Sequence, residues 1–570
     1  MTKAFVFVLL LVTSYQFGQA QNRNVLLGTP NDLEVISAYQ KRLGSITDSA
    51  NLILSVNNAI KEAQGLGYLM AAYHLTKVDS IFQIYIEVGA RFNWAELKQG
   101  NIPDYLLSKS GYRQRFFIAK PFKQTEVQKL FTKIIKESEN NGYPFASIYL
   151  DSIQITDDQI SGALNYTQGP EITFDKIQIN GTDKVKPEWL ASYLNIREGS
   201  LFSQNAIDNI AAKLGELPFI EMNQPPDITF QNSQATVVLT LKSVAANNID
   251  GIVGFLPNEQ QGKMLVTGQF YLGLTNLFSS GKTIDIKWQS LKPRSQLLDL
   301  EYNQPNILRS NIDLLANFNL LKEDTIFINR EGELGAILKK PKQTWKLYYR
   351  AKNTSVLSEK LNRDDLADIK INYYGGKYSF KTYKQHNVKR NGFGFDLEAA
   401  VGSKSIKNNG NLPENTYENI DLNTIQYMIG GSWTTYITLS KFLVLYQRTK
   451  GGKLFNDFLF TNDLFRLGGL TSIRGFNENF FFASDYAFSN LELQLHFQTD
   501  SYLFVFYDQA YLYNDVAKTN ISDYPMGVGL GLTFKVQKGL INIAYGVGKS
   551  KDQSFDLKLS KFHFGYVARF

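Results

Sequence analysis

One arginine and two acids are the residues of this chain best placed to do chemistry with charge. Arg474 lies in Gly468-Gly469-Leu470-Thr471-Ser472-Ile473-Arg474-Gly475-Phe476, and two runs that alternate with period two follow it. In the first, Asn490, Glu492, Gln494 and His496 share a face, with Leu491, Leu493, Leu495 and Phe497 behind them. In the second, Tyr502, Phe504, Phe506 and Asp508 oppose Leu503, Val505 and Tyr507. The two polar faces match if Thr499, Asp500 and Ser501 form a three-residue turn. That turn pairs Gln498 with Tyr502 and sets Glu492 directly opposite Asp508. Facing β-carbons on one side of a sheet stand about 5 Å apart, so two carboxylates there repel unless a cation is shared between them. A guanidinium is planar and can serve two carboxylates at once, and Arg474 is its expected source. This is structural chemistry rather than catalysis. The histidines, His74, His386, His496 and His563, are scattered without metal-ligand spacing. Gly527-Val528-Gly529-Leu530-Gly531 alternates at strand period and lacks the helix that a nucleotide loop needs; such glycines ease strand curvature. No nucleophile stands beside a base, so neither an enzyme, a cofactor nor a metal is expected.

These residues must be held by strands. After Ala245 apolar and polar residues alternate strictly: Met264, Val266, Phe270, Leu272 and Leu274 against Lys263, Thr267, Gln269 and Thr275, then Ile284, Ile286 and Trp288 against Asp285, Lys287 and Gln289. A soluble sandwich with one wet face and a lipid-facing barrel with a watery lumen both produce that pattern. Three features favour the barrel. The first is an export signal, and the second is about 325 residues of uninterrupted strand pattern, enough for about 16 strands of barrel length. The third is the terminus, where Phe562, Phe564, Tyr566, Ala568 and Phe570 form one aromatic-rich stripe. Abundant Tyr (31) and Phe (40) without long apolar runs fit the same class.

The export signal occupies residues 1–20. Lys3 supplies a positive start, Ala4 to Val12 is apolar, and Gly18-Gln19-Ala20 ends in small residues. The chain has no cysteine, so its exported domains rely on core packing and ladder hydrogen bonds instead of disulfides. Its net charge of +7 is spread along 570 residues and leaves no nucleic-acid footprint. Ahead of the barrel an internal repeat appears. Gly67-Tyr68-Leu69-Met70-Ala71-Ala72-Tyr73 is echoed about 75 residues later by Gly142-Tyr143-Pro144-Phe145-Ala146-Ser147-Ile148, and more faintly by Pro218-Phe219-Ile220. The last copy reads as a strand over 172–179, an Asn180-Gly181 turn, a helix opened by Pro187, a second helix capped by Ser203, and two strands near 218–230 and 235–241. This β-α-α-β-β order resembles the POTRA domain. Three units follow, at 24–90, 91–169 and 170–243, ahead of the barrel at 245–570. The fold class is α+β POTRA repeats followed by a transmembrane antiparallel β-barrel of about 16 strands.

The Ile473-Arg474-Gly475-Phe476 segment resembles the (V/I)RGF loop signature of the BamA/TamA/TpsB superfamily of POTRA-bearing outer-membrane barrels. That resemblance implies a sixth extracellular loop folded back into the lumen, its arginine paired with acids on the next two strands. The second acid of the family lies in an aromatic-x-Asp-x-Gly pattern, here Phe506-Tyr507-Asp508-Gln509-Ala510, with Ala510 in place of the glycine. It further implies that Phe562, Phe564, Tyr566 and Phe570 form a C-terminal assembly signal, and that the barrel lies in a bacterial outer membrane with periplasmic POTRA units. Three units point to the TamA-like branch. The implied function is assembly or insertion of other outer-membrane proteins, in which unfolded outer-membrane or secreted clients meet the POTRA units and then the barrel and outer-membrane lipid. A periplasmic, lipoprotein or inner-membrane partner on the POTRA units is the further expectation, and no nucleic acid. The alternatives are a two-partner-secretion pore and a passive channel or lipid-handling barrel.

Overall fold

The computed structural model describes residues 24–43, 46, 48–78, 81–258, 263–292, 294–340, 342–357, 365–383, 391–409, 417–418, 420–498, 500–516, 519–536 and 539–568. The expected export signal and Phe570 lie outside the described residues. The chain divides into two compact units. One holds the described chain up to Asp175 with Glu198–Asp208 and Thr229–Ala235; the other holds Lys176–Arg197, Asn209–Ile228 and the chain from Thr236 onward.

The first unit begins with a three-stranded sheet ordered Val25–Leu27, Ile81–Glu87, Ala72–Val78, its first two strands parallel. Helix Ser49–Gly65 packs on it through Leu52, Val56, Ala59, Ile60 and Ala63, which recur at three- and four-residue spacing and so share one face. A second sheet is ordered Asn93–Lys98, Gln159–Thr167, Ser147–Thr156, again parallel between its first two strands. Helix Gln124–Glu139 buries Val127, Leu130 and Ile134 in the core that Trp94, Leu97 and Ile160 share. The repeated Gly-Tyr signal sits just past each of these long helices. Gly67 and Gly142 have φ of 107° and 93°, open to glycine because it lacks a β-carbon. Each carbonyl accepts from the residue just before the first strand of the next sheet, Phe92 N–H at 2.9 Å and Ile172 N–H at 2.7 Å. The repeat in the sequence is therefore a joint.

A third sheet runs Thr173–Asn180, Gln234–Ser243, Ile220–Met222, with Asp227–Gln231 also on the middle strand. Ala235, Val237, Leu239 and Leu241 alternate along that middle strand and are fully buried. Helix Pro187–Leu194 follows the Asn180-Gly181 turn, where Gly181 adopts φ of 90° and a side chain would stand 2.6 Å from the Leu241 carbonyl.

From Asn248 on, the chain is one antiparallel sheet in strict sequence order. Its staves are β1 (Asn248–Asn258), β2 (Lys263–Leu277), β3 (Lys282–Lys292), β4 (Ser295–Gln304), β5 (Ile312–Glu323), β6 (Phe327–Lys340), β7 (Gln343–Val356), β8 (Asp368–Lys381), β9 (Gly392–Lys407), β10 (Asn423–Thr438), β11 (Leu443–Phe455), β12 (Asp485–Gln498) and β13 (Ser501–Val516). β14 comes in two pieces, Thr519–Asp523 and Met526–Val536, followed by β15 (Gly539–Lys549) and β16 (Lys561–Ala568). Both pieces of β14 pair with β13. They are one stave broken at Tyr524-Pro525, where proline has no N–H to give the ladder, and so the 17 strands of the sheet make sixteen staves. Among the described residues no ladder joins β16 to β1. Period two sorts the faces: Leu491, Leu493, Leu503 and Val505 are exposed outward, whereas Asn490, Glu492, Phe504 and Asp508 are buried inward.

The β12–β13 register corrects the expectation. Gln498 pairs with Ser501 instead of Tyr502, the register shifts between His496 and Gln498, and Asp508 then faces Asn490, not Glu492. A tight two-residue connection is the favoured hairpin, but alone it would turn every side chain to the wrong face. The irregularity beside it restores the faces and moves the pairing by two residues.

Candidate functional site

The sixth outward connection, between β11 and β12, is the long one, and it turns inward. Within it Phe465–Leu467 and Phe481–Ala483 pair as a small ribbon, and beyond that ribbon the chain carries Arg474 to the inner face of β12 and β13. Arg474 donates from Nη2 and Nε to the two oxygens of Asp508, at 2.7 and 2.8 Å, and its backbone N–H adds a third bond at 2.9 Å. Nη1 meets Glu492 Oε1 at 2.5 Å. Glu492 lies diagonally from Asp508, and the fork of the guanidinium spans that diagonal. The Phe506 ring lies under the guanidinium, 3.9 Å from centroid to Cζ. Arg474 is 4 % exposed and Asp508 1 %. Charges taken this far from water are tolerable only when every lone pair and proton has a partner.

Asn490, placed on the polar face by period two but given no role there, and Arg448, not singled out from the sequence, complete the set. Asn490 Nδ2 donates to Asp508 Oδ1 at 2.8 Å and to the Ser472 carbonyl at 2.7 Å. Arg448 on β11 donates to Asn490 Oδ1 and to the Thr471 carbonyl, both at 2.7 Å. Gln494 donates to the second oxygen of Glu492 at 2.7 Å. The register sets Arg448, Asn490 and Asp508 side by side on three staves.

Glycines let the loop reach this position. Gly468, Gly469 and Gly475 have φ of 113°, 91° and 89°, a region other residues rarely enter. Gly468 N–H donates to Ser472 Oγ at 2.7 Å and Gly469 N–H to the Ile473 carbonyl at 3.0 Å, closing the tip on itself. Ile473 and Phe476, both fully buried, then pack with Phe481, Phe488 and Leu512. Ala510, in place of the family's glycine, belongs to the same cluster, its methyl group buried there. The wall glycines clear space as well. Gly527 lies under the Arg474 carbonyl, Gly548 under the Phe476 ring, and Gly529 and Gly531 beside the Phe506 and Phe504 rings. Strand curvature, the reading of Gly527, Gly529 and Gly531 from sequence, leaves out that the wall glycines form a seat.

The stem of the loop is held to the opposite staves. Asp463 pairs with Lys404 on β9 and accepts from Gln426 on β10 at 3.3 Å, and its carbonyl accepts from Lys352 on β7 at 3.1 Å. Asn462 exchanges hydrogen bonds with the backbone of Ala367, and Arg466 pairs with Glu323 on β5 at 2.8 Å. A flat sheet cannot bring β5 and β13 to one loop, so the sheet is curled around it. Period two marks Lys404 and Lys352 as inward residues, but only the path of the loop brings Asp463 to them. At the other expected site Phe562 is exposed on the outer face of β16. Phe564 and Tyr566 stand in register with Ile543 and Ile541 of β15.

Residues 276–570 match the family model described as the Omp85 superfamily domain, and residues 172–243 match the POTRA model, described as a surface antigen variable number repeat. No curated protein matches. Among solved structures, CdiB from Escherichia coli aligns with a TM-score of 0.55 at 12% identity, over 95% of this chain and 99% of that one. CdiB from Acinetobacter baumannii aligns with a TM-score of 0.54 at 12% identity, over 91% and 96%. BamA from Haemophilus ducreyi lacking POTRA domains 1–3 aligns with a TM-score of 0.44 at 14% identity, over 83% and 99%. At such identities the likeness is one of fold.

Proposed function

The chain belongs to the Omp85 superfamily, outer-membrane barrels with periplasmic POTRA domains that insert or translocate polypeptides, and from that premise we propose that it is an assembly factor that inserts unfolded barrel clients into the outer membrane. We take residues 24–90 and 91–169 to be further POTRA units ahead of the matched one. The observation that carries the reading is the doubly held loop, its stem on β5 to β10 and its tip on β12 and β13. A client threading the lumen would have to displace both sets of buried ions, whereas a client entering at the end of the sheet, beside β16, leaves those of the stem in place. This favours insertion over secretion through the pore. The TamA-like branch remains the specific form proposed, with outer-membrane lipid and an unfolded polypeptide as the partners.

Client capture fits the second repeat. Ser147–Thr156 is an edge strand on which Tyr149, Ile153 and Ile155 are exposed, and an extended chain can add to such an edge through main-chain hydrogen bonds. The test is reconstitution in phosphatidylcholine vesicles with a urea-unfolded outer-membrane barrel as client. Wild-type protein should speed the client's passage to its protease-resistant folded form, and planar bilayers holding it should stay largely closed. A large steady current with no gain in client folding would overturn the proposal in favour of a pore.

A further inference from the structure

The glycine of the loop motif is bonded on both sides to the last hairpin of the barrel. Gly475 N–H donates to Nε2 of His563 on β16 at 3.1 Å. Its carbonyl accepts from Nε2 of Gln553, in the β15–β16 connection, at 3.3 Å, and Gln553 also donates to the Gly548 carbonyl at 3.0 Å. Two residues along β16, Gly565 leaves room that the Leu470 side chain occupies. A β-carbon on Gly475 would stand 2.6 Å from Gly548 N and from the Val547 carbonyl carbon, so only glycine allows the tip to lie this close to β15. His563 is buried on the inward face. Because its Nε2 accepts, the ring is neutral and carries its proton on Nδ1. Among the described residues β16 has a single ladder partner, β15, and the contact from inside the lumen adds to that ladder.

We infer that His563 is a positioning residue: through Gly475 it couples the seating of the loop tip to the placement of the terminal stave. Freeing the tip loosens β16, and disturbing β16 loosens the tip. The inference deepens the assembly reading, in which β16 borders the client's route, and rests on it for that use.

Hydrogen exchange read by mass spectrometry on the full chain in phosphatidylcholine vesicles tests it. In His563→Ala the amides of 561–568 and of 468–476 should both exchange about tenfold faster, the size expected when a buried hydrogen bond is lost. His563→Gln, whose carboxamide oxygen can accept from Gly475, should restore both segments. Acceleration of 561–568 alone, no acceleration in either segment, or a Gln variant that behaves like Ala would each overturn the inference. If His563→Ala fails to reach its heat-modifiable form, Gln553→Ala, outside the staves, is judged by the same two-segment criterion. Client folding on the same vesicles separates the two ideas. Coupled exchange without client folding by wild type upholds the coupling and removes the assembly reading. Client folding with independent segments does the reverse.

Discussion

Asp508 receives four donors, three of them from Arg474, while Glu492 receives two. The two acids are therefore unequal partners of the guanidinium. Removing Asp508 leaves a buried cation half paired and takes one hydrogen bond from Asn490 as well. Asp508→Ala should cost about 3–5 kcal/mol of barrel stability, the usual penalty for breaking a buried pair, and Glu492→Gln about 1–3 kcal/mol. Arg474→Ala combined with Asp508→Ala should lose little more than either alone, since members of one network are not additive. The temperature at which the folded band gives way to the unfolded one in electrophoresis measures all four. Additive losses in the double variant would mean that the residues act separately. Both acids and their common face were legible in the sequence because residue type and period two fix them, and the arginine because its Ile473-Arg474-Gly475-Phe476 segment resembles a known loop signature. Direct opposition of Glu492 and Asp508 was not, because a tight connection with an irregular residue beside it imitates a three-residue turn in its parity. Asp463 escaped for another reason: its partner Lys404 is 59 residues away, and no local pattern links a loop to the far wall.

At the scale of elements, the informative feature is the joint after each long helix. Gly67 and Gly142 accept from Phe92 and Ile172, each just before the first strand of the next sheet, and that residue's own carbonyl accepts from Phe122 or Phe202, at 2.9 Å in both cases. The same three-part clasp recurs, which is why the sequence repeats there. A β-carbon on Gly67 would stand 2.6 Å from the Phe122 carbonyl, and one on Gly142 would stand 3.0 Å from Leu201 Cδ2. Backbone cannot yield as a leucine methyl can, so Gly67→Ala should be the more damaging change, at about 1–3 kcal/mol. Limited proteolysis should cut Gly67→Ala near residues 88–92 faster than wild type, and Gly142→Ala near residues 168–172 by a smaller margin; wild-type cleavage at both joints would argue against the clasp. The spacing of the repeat could be read from the chain, its purpose could not, because the bonding partners come 25 or more residues later. Strand order was hidden in the same way. Alternation over 235–241 marks a strand, but only the fold shows it to be the middle of its sheet while Ser147–Thr156 forms an edge.

At the scale of the whole molecule, the last repeat and the barrel meet at a short turn. Asn276 Nδ2 donates to the Lys184 carbonyl at 2.7 Å, Lys186 N–H donates to the Ser279 carbonyl at 2.9 Å, and the Trp189 ring fills the space beside Gly281. Gly281→Leu should therefore push Trp189 off the turn. Proteolysis near residues 243–247 should quicken while the barrel keeps its heat-modifiable migration; unchanged cleavage there would mean that Trp189 contributes nothing to the contact. The doubly held loop has one more consequence, which concerns time instead of strength. Its stem binds staves that come before it in the chain, and its tip binds staves that come after. When the protein is delivered N-terminus first, the stem finds its partners already laid down, but the tip must wait for β12 and β13 and, last, for His563 on β16. The bond to His563 is thus the last to form, and a chain cut short before it would keep the loop's bonds to β12 and β13 but leave Gly475 N–H without its partner on β16.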